Sequence, residues 1–178
     1  SDCAVPQFFW SYLPFYSKNS FQRKGRIAPK TIADFFNVEK FPGNRALNSF
    51  PHGNLEMALL ADGVAVTDVY KLLDTGAGLD RAFVKLDTIK KPVLYGSSSK
   101  DTLDMVLRGE AAMGVGDNGS VTAATVFDGA PFTPIWDGQV LQELWLTIVK
   151  GSQNYEDALR FLIAVSTPRH LAERARWT

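Results

Sequence analysis

His52 and His170 are the only histidines in the chain, and they share no metal-binding spacing. His52 and Glu56 stand four residues apart, so one helix could present both to a metal. Two ligands do not close a site, and neither a metal nor a cofactor is expected. Asp117 opens the run Asp117-Asn118-Gly119-Ser120. Its carboxylate suits either of two roles, the N-cap of a following helix or the acid partner of a cationic ligand. Trp136 and Trp145 offer ring faces that could stack on a cation, worth roughly 0.5–2 kcal/mol each when desolvated, or pack into a core. Catalytic signatures fail in turn. Gly96-Ser97-Ser98-Ser99 lacks the closing glycine of a nucleophile elbow, and no P-loop pattern occurs. Gly76-Ala77-Gly78-Leu79-Asp80-Arg81 begins like a dinucleotide fingerprint, but Arg81 stands where a small residue is needed. No catalytic residue is assigned. A small α/β enzyme using Asp117 or His52 remains the minor alternative.

The elements that must hold these side chains alternate along the chain. Val5–Tyr16, apolar and aromatic with two prolines, predicts an extended strand. Thr31 is placed to cap a short helix through Phe36, and Pro42-Gly43 to make a turn before a strand at Arg45–Asn48. Leu55 and Leu59 predict a helix that Gly63 ends. Leu79, Ala82, Phe83, Leu86 and Ile89 follow helical spacing. Val93–Tyr95 predicts a strand, and Ser98 or Ser99 the cap of a helix carrying Leu103, Val106 and Leu107. A small-residue strand over 111–116 leads into a helix from about Val121 to Phe127. Phe132–Trp136 and Leu144–Val149 predict strands. Asn154 is placed to cap a helix over Ala158–Val165, and Pro168 to open a last one. Strands separated by helices imply an α/β sheet covered by helices.

Composition narrows the function. With 178 residues, 46% of them hydrophobic and 21% charged, the chain can bury a core. Its formal net charge of zero supplies no field for nucleic acid, so no nucleic-acid partner is expected. The basic clusters at Lys18–Lys30 and at Arg169, Arg174 and Arg176 read as solvated surface. No apolar run approaches the ~18 residues of a membrane span. A single cysteine, Cys3, excludes an internal disulfide framework.

Three phrases carry a resemblance. They are Asp34-Phe35-Phe36 with Phe41-Pro42-Gly43-Asn44-Arg45-Ala46-Leu47, then Leu55 to Val64 (LEMALLADGV), then Leu79 to Lys91 (LDRAFVKLDTIKK). Together they resemble the second lobe of bacterial periplasmic solute-binding proteins of ABC importers, in the family 1, spermidine/putrescine-binding branch. Leu144 to Asn154 is similar to that family's strand leading back to the first lobe. The resemblance implies a type II periplasmic-binding-protein fold: one three-layer α/β/α lobe plus part of the other. It divides the chain into a hinge-crossing strand (1–16), the second lobe (17–143), and a return strand with first-lobe helices (144–178).

The resemblance also implies the function. The chain would capture a small polar or cationic, polyamine-like solute in the periplasm and pass it to an ABC permease in the inner membrane, without being an enzyme. Ligand contacts are expected from His52, Gly53, Asn54, Asp117, Asn118, Trp136 and Trp145. Two departures from the family pattern stand out. No acid lies between Asn48 and Asn54, where polyamine binders place carboxylates, and Asp117 and Ser120 replace an aromatic and an arginine. The first departure keeps open an anion, iron or thiamine-like ligand, because a helix N-terminus favours negative charge. Cys3 matches a position that the resemblance pairs with a cysteine of the first lobe. Phe8, Phe9, Trp10, Phe161 and Leu162 are expected to lack their usual cover, so the fragment is expected to self-associate or to fold its tail back.

Overall fold

The computed structural model describes residues 4–21 and 27–175. Cys3 and Arg176 lie outside the described residues. The elements run β1 (Val5–Ser17), α1 (Lys18–Phe21), α2 (Ile32–Phe36), β2 (Arg45–Asn48), α3 (Asn54–Ala61), α4 (Val69–Leu73) and α5 (Gly76–Asp87). They continue β3 (Val93–Gly96), α6 (Ser99–Leu107), β4 (Met113–Asp117), α7 (Asn118–Val126), β5 (Phe132–Pro134), β6 (Val140–Leu146), α8 (Tyr155–Val165) and α9 (Pro168–Arg174). The strands form one mixed sheet in the order β3-β2-β4-β1-β5, with β6 also pairing β1. β2 runs parallel to β3 and β4, and β1 runs antiparallel to β4 and β5.

By contacts the chain falls into two units, Tyr12–Val140 and a second made of Ser1–Ser11 with Leu141–Thr178. In the larger unit, strand alternation feeds two cores. Leu47, Met113, Val115 and Tyr16 join Ile32, Phe35, Met57, Leu59, Val69 and Ala82 from α2 to α5. Leu13, Phe15 and Ala46 join Leu103, Val106 and Val121 from α6 and α7. Neighbouring residues of one strand therefore serve opposite faces, as a pleat with period two requires. The result is three layers, α/β/α. The small residues of β4 make the second face possible. A Cβ on Gly114 would lie 2.8 Å from the Phe15 ring, whose side chain is fully buried.

Arg45 is the largest fully buried side chain of this core. Its Nε donates to Phe35 O at 2.8 Å, Nη2 to Phe41 O at 2.7 Å and Nη1 to Gly43 O at 2.5 Å. Its guanidinium also faces the Phe35 ring, 5.7 Å from the centroid. Burial lowers its pKa to about 10, so the side chain is still charged at neutral pH. A fork of fixed donors thus ties the turn between α2 and β2 to the first residue of β2.

In the smaller unit, no residue of α8 or α9 is buried, and the one buried residue of β6, Val140, belongs to the larger unit. Phe9 and Phe161 are more than half exposed. Gln7 Nε2 donates to Ser166 Oγ at 2.8 Å, and Arg174 Nη1 donates to Gln7 Oε1 at 3.1 Å. These bonds pin the start of β1 to the helices.

Most expected elements stand within a residue or two of their places. Thr31 caps α2 in a full capping box, and Ser98, not Ser99, caps α6. Three expectations are corrected. The strand expected over Leu144–Val149 ends at Leu146 and begins at Val140, because alternation starts with buried Val140. α7 begins three residues earlier than expected, because Asp117 caps it. Asn154 sits at the N-cap of α8 but makes no side-chain capping bond.

Candidate ligand site

Parallel pairing brings the C-terminal ends of β2, β3 and β4 to one edge of the sheet, and α3, α6 and α7 each begin there. In open α/β sheets this is the edge where ligands bind. β1 runs the other way, so Tyr12 is paired with Asp117 and joins the same edge. Around it the Tyr12 ring meets His52 edge-on at 5.4 Å between centroids and tilts against Phe50 at 6.1 Å. Burial, and second the charge of Asp117, raise the Tyr12 phenol above its usual pKa. His52, Asp117, Tyr12 and Phe50 therefore form one aromatic and acidic cluster.

The turn into α3 is built around Gly53. Its φ of 80° and ψ of −42° suit glycine, being strained for any residue with a side chain. Its N–H donates to Glu56 Oε2 at 2.8 Å, and Glu56 is buried. Glu56 Oε1 lies 3.9 Å from His52 Nδ1 and accepts from the Tyr70 hydroxyl at 3.5 Å. Burial, then the Glu56 charge and this bond, raise the Tyr70 phenol. His52 lies in the turn and not on the helix, which corrects the picture of two metal ligands sharing one helix face. Among the described residues, no group of three or more metal-ligating side chains occurs.

Each neighbouring helix is closed in the same way. Asp117 Oδ1 accepts from Ser120 N at 2.7 Å, and Asp117 N donates to Ser99 Oγ at 3.2 Å. Asp101 Oδ2 accepts from Ser97 N at 2.9 Å and from the Ser97 hydroxyl at 2.5 Å, which holds its pKa below the usual range. Ser98 Oγ accepts from Asp101 N. The positive ends of three helix dipoles are thus met by Glu56, Asp101 and Asp117 from within the chain. The edge offers carboxylate acceptors alongside its helix N–H groups. The helix N-terminus that kept an anionic ligand open already carries the Glu56 carboxylate.

The seven expected contact residues divide as follows. His52, Gly53, Asn54, Asp117 and Asn118 all lie on the edge. Asp117 does cap its helix, and its second oxygen still leaves it an acid at the edge. Trp136 follows β5, whose end reaches the same edge, and is 56% exposed. Trp145 belongs to β6 in the other unit and is 40% exposed. Neither tryptophan is the core residue that one reading of the sequence expected. Sequence reasoning left Tyr12 and Phe50 out of the contact residues and weighed Glu56 only as a metal partner of His52. The signal for Glu56 was present, an acid three residues after Gly53, as in a capping box.

With the geometry in place, comparison identifies the family. Residues 2–178 match the family described as bacterial extracellular solute-binding protein. The chain belongs to that family. It is 34% identical over 169 residues to a gamma-aminobutyric acid-binding protein of Pseudomonas aeruginosa, covering 95% of this chain and 47% of that protein. An ABC transporter substrate-binding protein from Bradyrhizobium japonicum superposes with a TM-score of 0.83 at 36% identity, covering 96% of this chain and 50% of that one. The binding protein MotA of A. tumefaciens B6, solved with glucopine, gives 0.84 at 33% identity, covering 96% and 52%. The chain spans about half the length of these relatives. The fold is that of type II periplasmic binding proteins, as the three phrases implied. The family is one of solute-binding proteins, in agreement with the expectation that the chain is no enzyme.

Proposed function

We propose that this chain is part of the substrate-binding protein of an ABC importer, acting in the periplasm, and that it reads its solute by an ammonium group. Relatives of similar identity take GABA in one case and glucopine in another, so family membership alone does not choose the ligand. The observation that carries the choice is the row of carboxylates along the edge. Glu56, Asp101 and Asp117 answer the helix N-termini, leaving acceptors beside the rings of Tyr12, Phe50 and His52. Such an edge suits a cation, which gains from carboxylate and ring alike. It disfavours an oxyanion, an iron chelate or another anion.

Between amines, a GABA-like amino acid stands ahead of a polyamine. Each carboxylate already accepts from backbone N–H groups, and no acid lies between Asn48 and Asn54 to meet a second ammonium. In this reading segment 1–16 is the strand crossing between lobes, 17–143 the second lobe and 144–178 the return to the first lobe. Hinge closure would bury the solute, and the closed form would be read by the permease. Trp136 and Trp145 would supply ring faces. Titration calorimetry on the full-length protein with GABA, putrescine, spermidine and sulfate tests the ligand. Saturable binding of GABA, recovered unchanged, is expected. Tighter binding of sulfate than of any amine refutes it, and tighter binding of putrescine restores the polyamine reading.

A further inference from the structure

The ligand edge holds two polar atoms that the chain leaves unanswered. Asn48 Oδ1 and Asn54 Oδ1 are buried and accept no hydrogen bond among the described residues. Asn48 ends β2 and is 1% exposed, while Asn54 opens α3 and is 7% exposed. The orientation of Asn54 is fixed by its own nitrogen. Nδ2 donates to Asn48 O at 2.8 Å and to Phe50 O at 2.9 Å, and turning the amide over would set oxygen against two carbonyls.

Several donors of the surrounding turn are already engaged elsewhere. Ser49 N donates to Gly96 O, Gly53 N to Glu56, Leu55 N to Pro51 O and Met57 N to Gly53 O. Buried amide oxygens are almost always paired, so an unpaired couple in one turn asks for a donor from outside the chain. An ammonium is the group that fits, having three donors and no acceptor. This also accounts for the missing acid between Asn48 and Asn54. Neutral amides can accept from a cation without the desolvation cost of two more buried carboxylates.

We propose that Asn48 and Asn54 form the ammonium-reading subsite of this protein, with Asn48 a specificity-determining residue. The inference rests on the amine reading given above and narrows it to named atoms.

The test is calorimetry on the full-length protein with GABA and with butyrate, which has the same chain without the amine. Asn48→Leu removes the unanswered oxygen while keeping the branching of the side chain, and Asn48→Ser is a smaller variant in case leucine disturbs folding. The expected result is a loss of about tenfold or more in GABA affinity, with butyrate within about twofold and the thermal midpoint unchanged or higher. An unchanged ratio of GABA to butyrate affinity overturns the subsite. So does a fall in thermal midpoint with the ratio preserved, which is the mark of an oxygen paired to a structural water. If the unmutated protein binds neither GABA nor putrescine, the amine reading itself fails, and this inference with it.

Discussion

Glu56 is the side chain on which the α3 end of the site depends, and its replacement has calculable consequences. In Glu56→Ala the buried N–H of Gly53 loses its acceptor, at about 1–3 kcal/mol. The loss of negative charge in the first turn of α3 adds about 0.3–1 kcal/mol. The Tyr70 contact at 3.5 Å is at the limit of a hydrogen bond and adds little. The sum is about 1–4 kcal/mol, which in a chain of this size lowers the thermal midpoint by roughly 3–16 °C. Glu56→Gln keeps an acceptor, since glutamine also completes a capping box, and is expected to cost under about 1 kcal/mol. Urea melts of the three proteins measure this directly. A second readout is the Tyr70 phenol, which the Glu56 charge helps to raise, so its titration should move down in both variants. Equal melting of the alanine and glutamine variants would refute the reasoning, because the lost acceptor would then count for nothing.

Other substitutions probe the same frame. Gly53→Ala has room for its Cβ, 3.4 Å from Met57 and Tyr12, so backbone strain of about 1–3 kcal/mol should appear in melts without a void or clash. A neutral result would mean that the turn readily adopts another shape. Arg45→Met should destabilise by about 2–4 kcal/mol, because three carbonyls lose their donor while relief of the buried charge returns part of the cost. Arg45→Lys should fare no better, since one ammonium cannot reach all three, and full retention of stability by lysine would contradict that. Burial alone would raise Asp34, but bonds from the N–H groups of Lys30 and Thr31 and from the Thr31 hydroxyl, with the charge of Lys40, outweigh it and lower the pKa. Its contribution is therefore present above about pH 4 and lost as pH falls through the lowered value. The gap in melting temperature between the parent and Asp34→Asn should close below pH 4, and a constant gap would exclude this origin.

Much of the fold was legible because local chemistry and tertiary demand agree along most of the chain. Thr31 with Asp34, Ser98 with Asp101, and Pro168 after Thr167 mark helix starts that the structure keeps. The heptad-like run from Leu79 to Ile89 fixed α5. β6 was misplaced because Val149 and Ile148 look like strand residues, whereas the ladder is set by alternation starting from Val140. The site was legible only in part. Helix starts locate His52, Asn54 and Asp117, but which side chains meet them depends on strand order. Tyr12 looks like one more aromatic of an apolar strand until antiparallel pairing sets it opposite Asp117. Glu56 looks like a solvated helix acid until the turn folds its carboxylate back onto Gly53.

β1 is thirteen residues long, and the division between the two units falls inside it, between Ser11 and Tyr12. The backbone is strand on both sides of that point, so a protease has no loop there to enter. A single residue inserted at this junction would swap the facing of every side chain on one side of it, sending Leu13 and Phe15 away from the core they fill. The continuous ribbon therefore makes the chain intolerant of length change where many two-part proteins are most forgiving.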